Sequence, residues 1–332
     1  MKAITFEKFG LAQDVLNASE EPKPEPGDGE VLVKVAASGV NPSDVKKRAG
    51  SASRLLSDGF VIPHSDGSGV IEAVGNGVSE TRIGERVWLY QAQYERRFGT
   101  AAEYVAVSSD RAPRLPDAAS FEIGACLGIP AMTSHRCILA DGDVAGKVIL
   151  VTGGAGRVGH YAIQWGNLGG AKVIASASND ADKAACLEAG AAAVVNHRDA
   201  DFAAQILAAN SGKKVDRIVD VEFGQNLSAV LEVAKIGATI ATYSSMRKPE
   251  PTIPFYKMMF ADITVRFVIV YAMPESAKDD AVRDINAALD AGKLQHRVTH
   301  VVPFDECARA HEIIEAGSVR GCVVLSVGQD SN

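Results

Sequence analysis

Cysteine is scarce and scattered: Cys126, Cys137, Cys186, Cys307 and Cys322 are odd in number, and no two of them stand in a C-x-x-C spacing. That excludes a disulfide framework and supplies no thiolate zinc motif, so the thiols read as small core residues in a reducing compartment. Long apolar runs are missing too. The longest, from Phe267 to Met273, is too short to span a bilayer. The opening MKAITFEKFG mixes charge with apolar side chains and lacks the core of a signal peptide. A cytoplasmic protein with no membrane partner is expected. Dense Lys/Arg runs are absent and the net charge is −7, which disfavours a polyanion-binding surface and hence nucleic acid as a partner.

The chain has 332 residues, enough for about two domains, and its 47% hydrophobic and 23% charged content is ordinary for a globular protein. In the first hundred residues, VLVKVAASGV from Val31, GSGVIEAVG from Gly67, RVWLY from Arg86 and AAEYVAV from Ala101 are short, β-branched and bounded by Gly, Pro and Asp. No long helical period separates them, so they predict a compact barrel-like β domain. From Ser120 the period turns helical, interrupted by Pro130, and then strand and helix candidates alternate as far as DITVRFVIVY from Asp262. Such alternation predicts a parallel, doubly wound α/β sheet. The tail carries a helix at 279–291, a strand near Thr299, a helix at 305–315 and a last strand from Cys322, placed to return to the first domain.

One stretch organises the rest. VILVTGGAGRVGHYAIQWGNLGGAKVIASAS, starting at Val148, reads as strand, tight turn, helix, strand, with Gly153, Gly156 and Gly159 in the spacing of a dinucleotide-binding fingerprint. A missing Cβ there permits a sharp turn, close approach to a pyrophosphate and packing of helix on strand. The helix N-terminus then directs N–H groups and the positive dipole end at phosphates. Ala155, Arg157 and Val158 complete the turn; Arg157 either touches the pyrophosphate or covers the helix start. At the end of the second strand, where an acid would bind a ribose 2′-hydroxyl, the chain has Ala177 beside Ser176, Ser178 and Asn179. Lys183, His197 and Arg198 are at hand to supply charge to a 2′-phosphate, whereas Asp180 and Asp182 oppose it. The balance favours NADPH.

These residues resemble the medium-chain dehydrogenase/reductases, and within them the zinc-free quinone oxidoreductase branch that includes zeta-crystallin. The resemblance is carried by SGVNPSDVKKRAG from Ser38, IPHSDGSGVIEAVG from Ile62, RIGERVW from Arg82, GTAAEYVAV from Gly99, LGIPAMTSHRCI from Leu127, the fingerprint, and AGAAAVVNHR from Ala189. It implies a GroES-like β-barrel catalytic domain from residues 1–120 and 270–332, a Rossmann domain from residues 121–269, an active site in the cleft and a homodimer paired along DITVRFVIVY. Read from its residues alone, that segment is equally a core strand. Zinc alcohol dehydrogenases of the superfamily carry Cys where this chain has Asn41, and His-Glu where it has Ser65-Asp66; their cysteine-rich structural zinc loop is also missing. No metal is therefore expected, and His64 reads as a turn or core residue.

The resemblance also implies that Asn41 faces the nicotinamide and substrate, and that Thr133 lies near the nicotinamide ring. Alone, Asn41 before Pro42 is an ordinary turn residue, and Thr133 could bond back to its own helix. Ser178 and His197 are implied beside the adenosine ribose, and Tyr243, Ser244, Ser245, Val268, Ile269 and Val270 along the rest of the cofactor. Lys46 stands where many quinone reductases carry Tyr; it reaches a phosphate or substrate oxygen, or is a solvated charge. The expected activity is hydride transfer from NADPH to a small electrophile, a quinone. Alternatives are an enone or enal reductase, and a non-catalytic NADPH-binding protein of crystallin or redox-sensing type. Catalysis without a metal would rest on positioning, with the cofactor supplying the chemistry.

Overall fold

A computed structural model describes residues 1–328. The chain packs into two units, residues 1–129 with 282–332 and residues 130–281. Both joints fall later than the expected 120 and 269. The reason lies in what the first unit holds: Ser68 Oγ donates to the Phe121 carbonyl and the Ile129 amide donates to Asp66 Oδ2 at 2.8 Å. The second half of helix Glu275–Asp290 is tied there too, through Trp88 Nε1 to Asn286 Oδ1 at 3.0 Å and Arg114 to Asp290 at 2.7 Å. Each joint thus runs through helical chain, where periodicity gives no break to read.

In the first unit, β1 (Lys2–Thr5) pairs antiparallel with β2 (Asn17–Glu20). The long strand β3 (Glu30–Val40) is joined by β4 (Asp66–Val74), β5 (Arg86–Leu89) and β6 (Tyr104–Ser108). Alternate residues Val31, Val33 and Val35 face one core with Ile71, Val87, Leu89, Val105 and Val107, as the two-residue period of a strand requires. Each such side chain contributes on the order of 1.5–3 kcal/mol by leaving water.

The second unit contains β7 (Val148–Val151), β8 (Lys172–Ala177), β9 (Ala193–Asn196), β10 (Val215–Asp220), β11 (Ala234–Thr242) and β12 (Thr264–Phe267). They lie in the order β9-β8-β7-β10-β11-β12, all parallel. This is the doubly wound α/β sheet predicted from the alternation. Its central strands are continuous apolar runs because helices cover both faces; Ile149, Leu150, Val151, Ile174 and Ile218 are fully buried. The helical stretch around Pro130 is broken into Phe121–Gly124, a wider turn Leu127–Ala131 and Met132–Leu139. DITVRFVIVY forms only the short edge strand β12. Phe267 is 71% exposed, so the segment is not a buried core strand.

The tail returns to the first unit. β13 (Val298–Pro303) pairs parallel with β14 (Cys322–Ser326), and β14 runs antiparallel to β3 with Val323 opposite Val40. Among the described residues no helix is long and apolar enough to cross a membrane.

An ion-pair knot braces the parallel sheet. Arg217 on β10, 3% exposed, donates to the Cys137 carbonyl and, at 2.6 Å, to Asp141 Oδ2. Arg266 on β12 donates through Nε to both oxygens of Asp141 at 3.0 Å. Hydrogen bonds from Arg266, then from Arg217, hold the Asp141 carboxyl down at about 2. Because that lies below the ordinary carboxylate value, the stabilisation is present above pH ~4 and fades as pH falls toward ~2. Asp141→Asn would leave a buried guanidinium without its counter-charge, at a cost of about 3 kcal/mol near neutral pH. Urea unfolding should show that gap narrowing toward pH ~3; a gap independent of pH would refute the role assigned to Asp141.

Candidate active site

The carboxyl ends of the parallel strands form one edge, and most of the residues expected at the cofactor stand along it. After β7, Gly153 adopts a left-handed backbone with φ +61°, a conformation that favours glycine. Gly156 precedes the helix Arg157–Leu168 as its N-cap, with φ −72° and ψ 169°. A Cβ on Gly159 would lie 2.4 Å from the Gly153 carbonyl, so only glycine lets the helix start so close to the turn. Gly156 differs: an added Cβ would meet only the Gly153 oxygen, at 3.1 Å. That contact asks the turn to give by a few tenths of an ångström, far less than at Gly159, and the turn lies at the positive end of the helix. Ala155 is buried, and Arg157 and Val158 are half-buried in the first turn.

The parallel register aligns the neighbouring strand ends. Ala177 of β8 sits opposite Asn196 of β9, so Ser178 and His197 leave the sheet side by side. The Gly153 amide donates to Ser176 Oγ at 3.0 Å, and Ser176 Oγ lies 3.4 Å from His197 Nδ1, which links the glycine turn to the ends of both strands. Lys183 and Arg198 are exposed. Asp182 is drawn into a helix cap, accepting from Asn179 Nδ2 at 2.8 Å while its amide donates to Asn179 Oδ1 at 2.9 Å. On the other wing, the Val268 amide donates to the Thr242 carbonyl at 2.8 Å, which sets Tyr243 beside Val268. Ser244 and Ser245 accept from the Phe223 and Gly224 amides at 3.0 and 2.9 Å. Ile269 is exposed and Val270 buried. Burial pushes the Tyr243 hydroxyl well above its usual pKa, so it stays protonated.

Sequence reasoning missed Thr152 and Asp220 on this edge. Thr152 Oγ1 donates to Asp220 Oδ1 at 2.6 Å and accepts from the Val221 amide at 3.0 Å; Asn226 Nδ2 also donates to Asp220 Oδ1, at 2.7 Å. This buried carboxylate, its pKa raised by burial, fastens the ends of β7 and β10 where the strand order reverses. Such switch points are where ligands bind in open α/β sheets. The available signal was an acid closing the apolar run of β10.

In the first unit Asn41 follows β3 directly and is 3% exposed. Its amide donates to Asp44 Oδ2 at 2.9 Å, capping the short helix Pro42–Lys46, while its side-chain Nδ2 donates to Asp66 Oδ2 at 2.9 Å. The Ile129 amide shares that oxygen. Burial pushes the Asp66 carboxyl up to about 8 and that of Asp44 up to about 6. Of the two readings of Lys46, the exposed side chain agrees with a solvated charge, and it is Lys47 that turns inward. Lys47 Nζ donates to Ser65 Oγ at 3.1 Å and to the carbonyl and Oε1 of Gln93 at 3.0 and 3.1 Å. Successive helical residues point about 100° apart, and the letters KKR do not say which one faces in. Thr133 is buried in helix Met132–Leu139 of the second unit.

A family model described as the alcohol dehydrogenase GroES-like domain matches residues 27–117, and one described as a zinc-binding dehydrogenase matches residues 158–287. A quinone oxidoreductase of Sus scrofa is 30% identical over 330 residues, spanning 98% of this chain and 97% of that protein. The chain belongs to the quinone oxidoreductase group of the medium-chain dehydrogenase/reductases. A solved structure of an NAD-dependent alcohol dehydrogenase has a TM-score of 0.89 at 28% identity, covering 99% of this chain and 100% of that one. A mycobacterial protein complexed with NADPH has a TM-score of 0.87 at 26% identity, covering 98% and 100%.

The catalytic zinc known from alcohol dehydrogenases of this superfamily does not fit these residues. At the ligand positions Asn41 presents an amide N–H, already donated to Asp66, and Ser65 accepts from the Lys47 ammonium. Asp66 Oδ2 is taken by two N–H donors, leaving one carboxylate oxygen beside a buried cation where three ligands are needed.

Gly156→Val tests the turn. The observed backbone angles suit any residue and the one close atom is the Gly153 oxygen, so thermal unfolding of the apo form should change modestly, by about 1–2 kcal/mol for altering a cap and easing that contact. Fluorescence titration should show nicotinamide-cofactor binding abolished. Retention of binding within a few-fold of wild type would show that phosphates sit elsewhere.

Proposed function

We propose that this protein is a zinc-independent reductase that passes a hydride from NADPH to a quinone. The reaction balances as quinone plus NADPH plus one proton giving hydroquinone plus NADP⁺, and the bound nicotinamide supplies the hydride. The protein's part is to hold both reactants and exclude water. Full-length similarity to the Sus scrofa quinone oxidoreductase supports the acceptor. The Asn41 amide locked onto Asp66 is the observation that carries the metal-free reading. With no Lewis acid to polarise a carbonyl, an acceptor that is already electrophilic suits the site, whereas an unactivated alcohol would want a metal.

Ala177 at the end of β8 supports the choice of NADPH. No carboxylate stands where a ribose 2′-hydroxyl would be bound, and Ser178 and His197 emerge together there with Lys183 and Arg198 exposed nearby. The capping bonds between Asn179 and Asp182 occupy one of the two acids that would repel a phosphate. A charge-assisted contact to the 2′-phosphate is worth on the order of 1.5–3 kcal/mol, roughly ten- to a hundredfold in affinity. Fluorescence titration should therefore give a lower Kd for NADPH than for NADH by that factor, and equal constants would count against the assignment.

Acceptor choice is checked by NADPH consumption across quinones, enones and aldehydes, before and after exhaustive chelation. Quinones should turn over fastest, at a rate chelation does not change. Faster enones would make the protein an enone reductase, and no turnover with any acceptor would make it a binding protein. Activity lost to chelator and restored by zinc, with thermal unfolding unchanged by the chelation, would overturn the metal-free mechanism.

A further inference from the structure

Inside the first unit, next to the Asn41 cluster and joined to it through Ser38, Thr100 and the Asp66 carbonyl, His64, Cys307 and His311 converge with one ligand atom each lying within 4.8 Å of the others. All three are buried, at 0%, 1% and 0% exposure. His64 Nε2 is 2.9 Å from His311 Nε2 and 4.0 Å from Cys307 Sγ. His64 holds this position from a left-handed backbone, φ +79°, which a residue with a side chain rarely adopts.

The surrounding hydrogen bonds fix the tautomers. Thr100 Oγ1 donates its single proton to the Asp66 carbonyl at 2.6 Å. Ser38 Oγ, 2.7 Å from Thr100 Oγ1, must then be the donor in that pair. Its proton spent, Ser38 accepts from His64 Nδ1 at 2.8 Å. His64 is thereby the Nδ1–H tautomer, and the lone pair on Nε2 points into the cluster. His311 Nε2 carries the proton between the rings, and His311 Nδ1 is a buried atom with no hydrogen-bond partner. A ring whose outer nitrogen donates to a hydroxyl while its inner nitrogen offers a lone pair is arranged as a metal-ligating histidine. Burial lowers the pKa of both rings, that of His311 to about 3, which keeps them in the neutral, ligating form; it also pushes the Cys307 thiol up, so the thiolate forms only when the ion displaces its proton.

We propose that His64 Nε2, His311 Nε2 and Cys307 Sγ form a buried site for Zn(II), three protein ligands with a water molecule in the fourth position of the tetrahedron. Two imidazoles and a thiolate are the donor set this ion favours. Zn–N bonds near 2.0–2.1 Å and a Zn–S bond near 2.3 Å at tetrahedral angles set N···N at about 3.3 Å and N···S at about 3.6 Å. The His64 separations of 2.9 and 4.0 Å reach these values with shifts of about 0.4 Å each, and the third pair, within 4.8 Å, closes by about 1.2 Å at most. Binding displaces the thiol proton to solvent and moves the His311 proton from Nε2 to the partnerless Nδ1, so one proton is released per ion. The ion would join the chain just ahead of β4 to helix Cys307–Glu315, across 243 and 247 residues of sequence. It would thereby fasten the returning tail to the first unit. No spacing motif could announce ligands so far apart.

The test uses the full-length protein expressed in medium supplemented with zinc or with cobalt, so that burial does not bar entry. One ion should remain per chain after gel filtration, and the cobalt form should show thiolate-to-cobalt charge-transfer absorption in the near ultraviolet. Cys307→Ser should abolish that absorption, and His311→Asn should weaken retention at least tenfold. Ser38→Ala, which removes the partner orienting His64, should weaken it by about ten- to a hundredfold. Wild-type protein that retains no ion, or a cobalt spectrum lacking thiolate absorption, overturns the site whatever the variants do. Retention or absorption undiminished in Cys307→Ser overturns it as well. Hydride transfer is not a readout here, so the result is independent of the proposed reductase activity.

Discussion

The first unit depends on β3 having partners along both edges. β4 runs along one edge for most of its length, while the other edge is divided, β6 pairing from Glu30 to Lys34 and β14 from Ala37 to Val40. Unpaired backbone N–H and C=O groups on a buried strand would each cost free energy comparable to a lost hydrogen bond. The second half of β3 is satisfied only when the tail comes back. Val40 faces Val323 across that last pairing, and the next residue is Asn41. The carboxamide that meets Asp66 is therefore held in place by a strand that follows it by almost three hundred residues in the chain.

In the second unit the corresponding constraint is the three-glycine turn, and its glycines serve three different ends. Gly153 supplies a backbone angle, Gly159 lets helix lie against turn, and Gly156 leaves space open on the side away from the protein. Around the turn the parallel register does the rest. Because adjacent strands end level, Ser178 with His197 and Tyr243 with Val268 are set side by side by the backbone. Thr152 and Asp220 then lock the two strands at which the winding reverses.

The parallel sheet was legible from the alternation of short β-branched runs with helical ones, and the tight turn between β7 and its helix from glycine spacing, because both signals are local and repeat with the period of the backbone itself. The same reading left alternatives open where the deciding quantity was an orientation. In KKR the letters are equivalent, and the start of the helix turns Lys47 toward Ser65 and Gln93 while Lys46 faces water. DITVRFVIVY has the composition of a core strand, yet β12 pairs only with β11, and its last residue is left largely exposed.

The alternation of strands and helices, the glycines at 153, 156 and 159, and the motifs around Asn41 and Ser65-Asp66 are properties of the sequence by itself; they determined the fold class, the tight glycine turn and the family resemblance. Only the tertiary structure decided that Asp66 is shared by Asn41 and Ile129, that Asp220 joins two strand ends, and that His64 meets Cys307 and His311. Those contacts join residues from 25 to 247 positions apart. A pairing at that range is set by how strands and helices close upon one another, and nothing in the local pattern around either partner carries it.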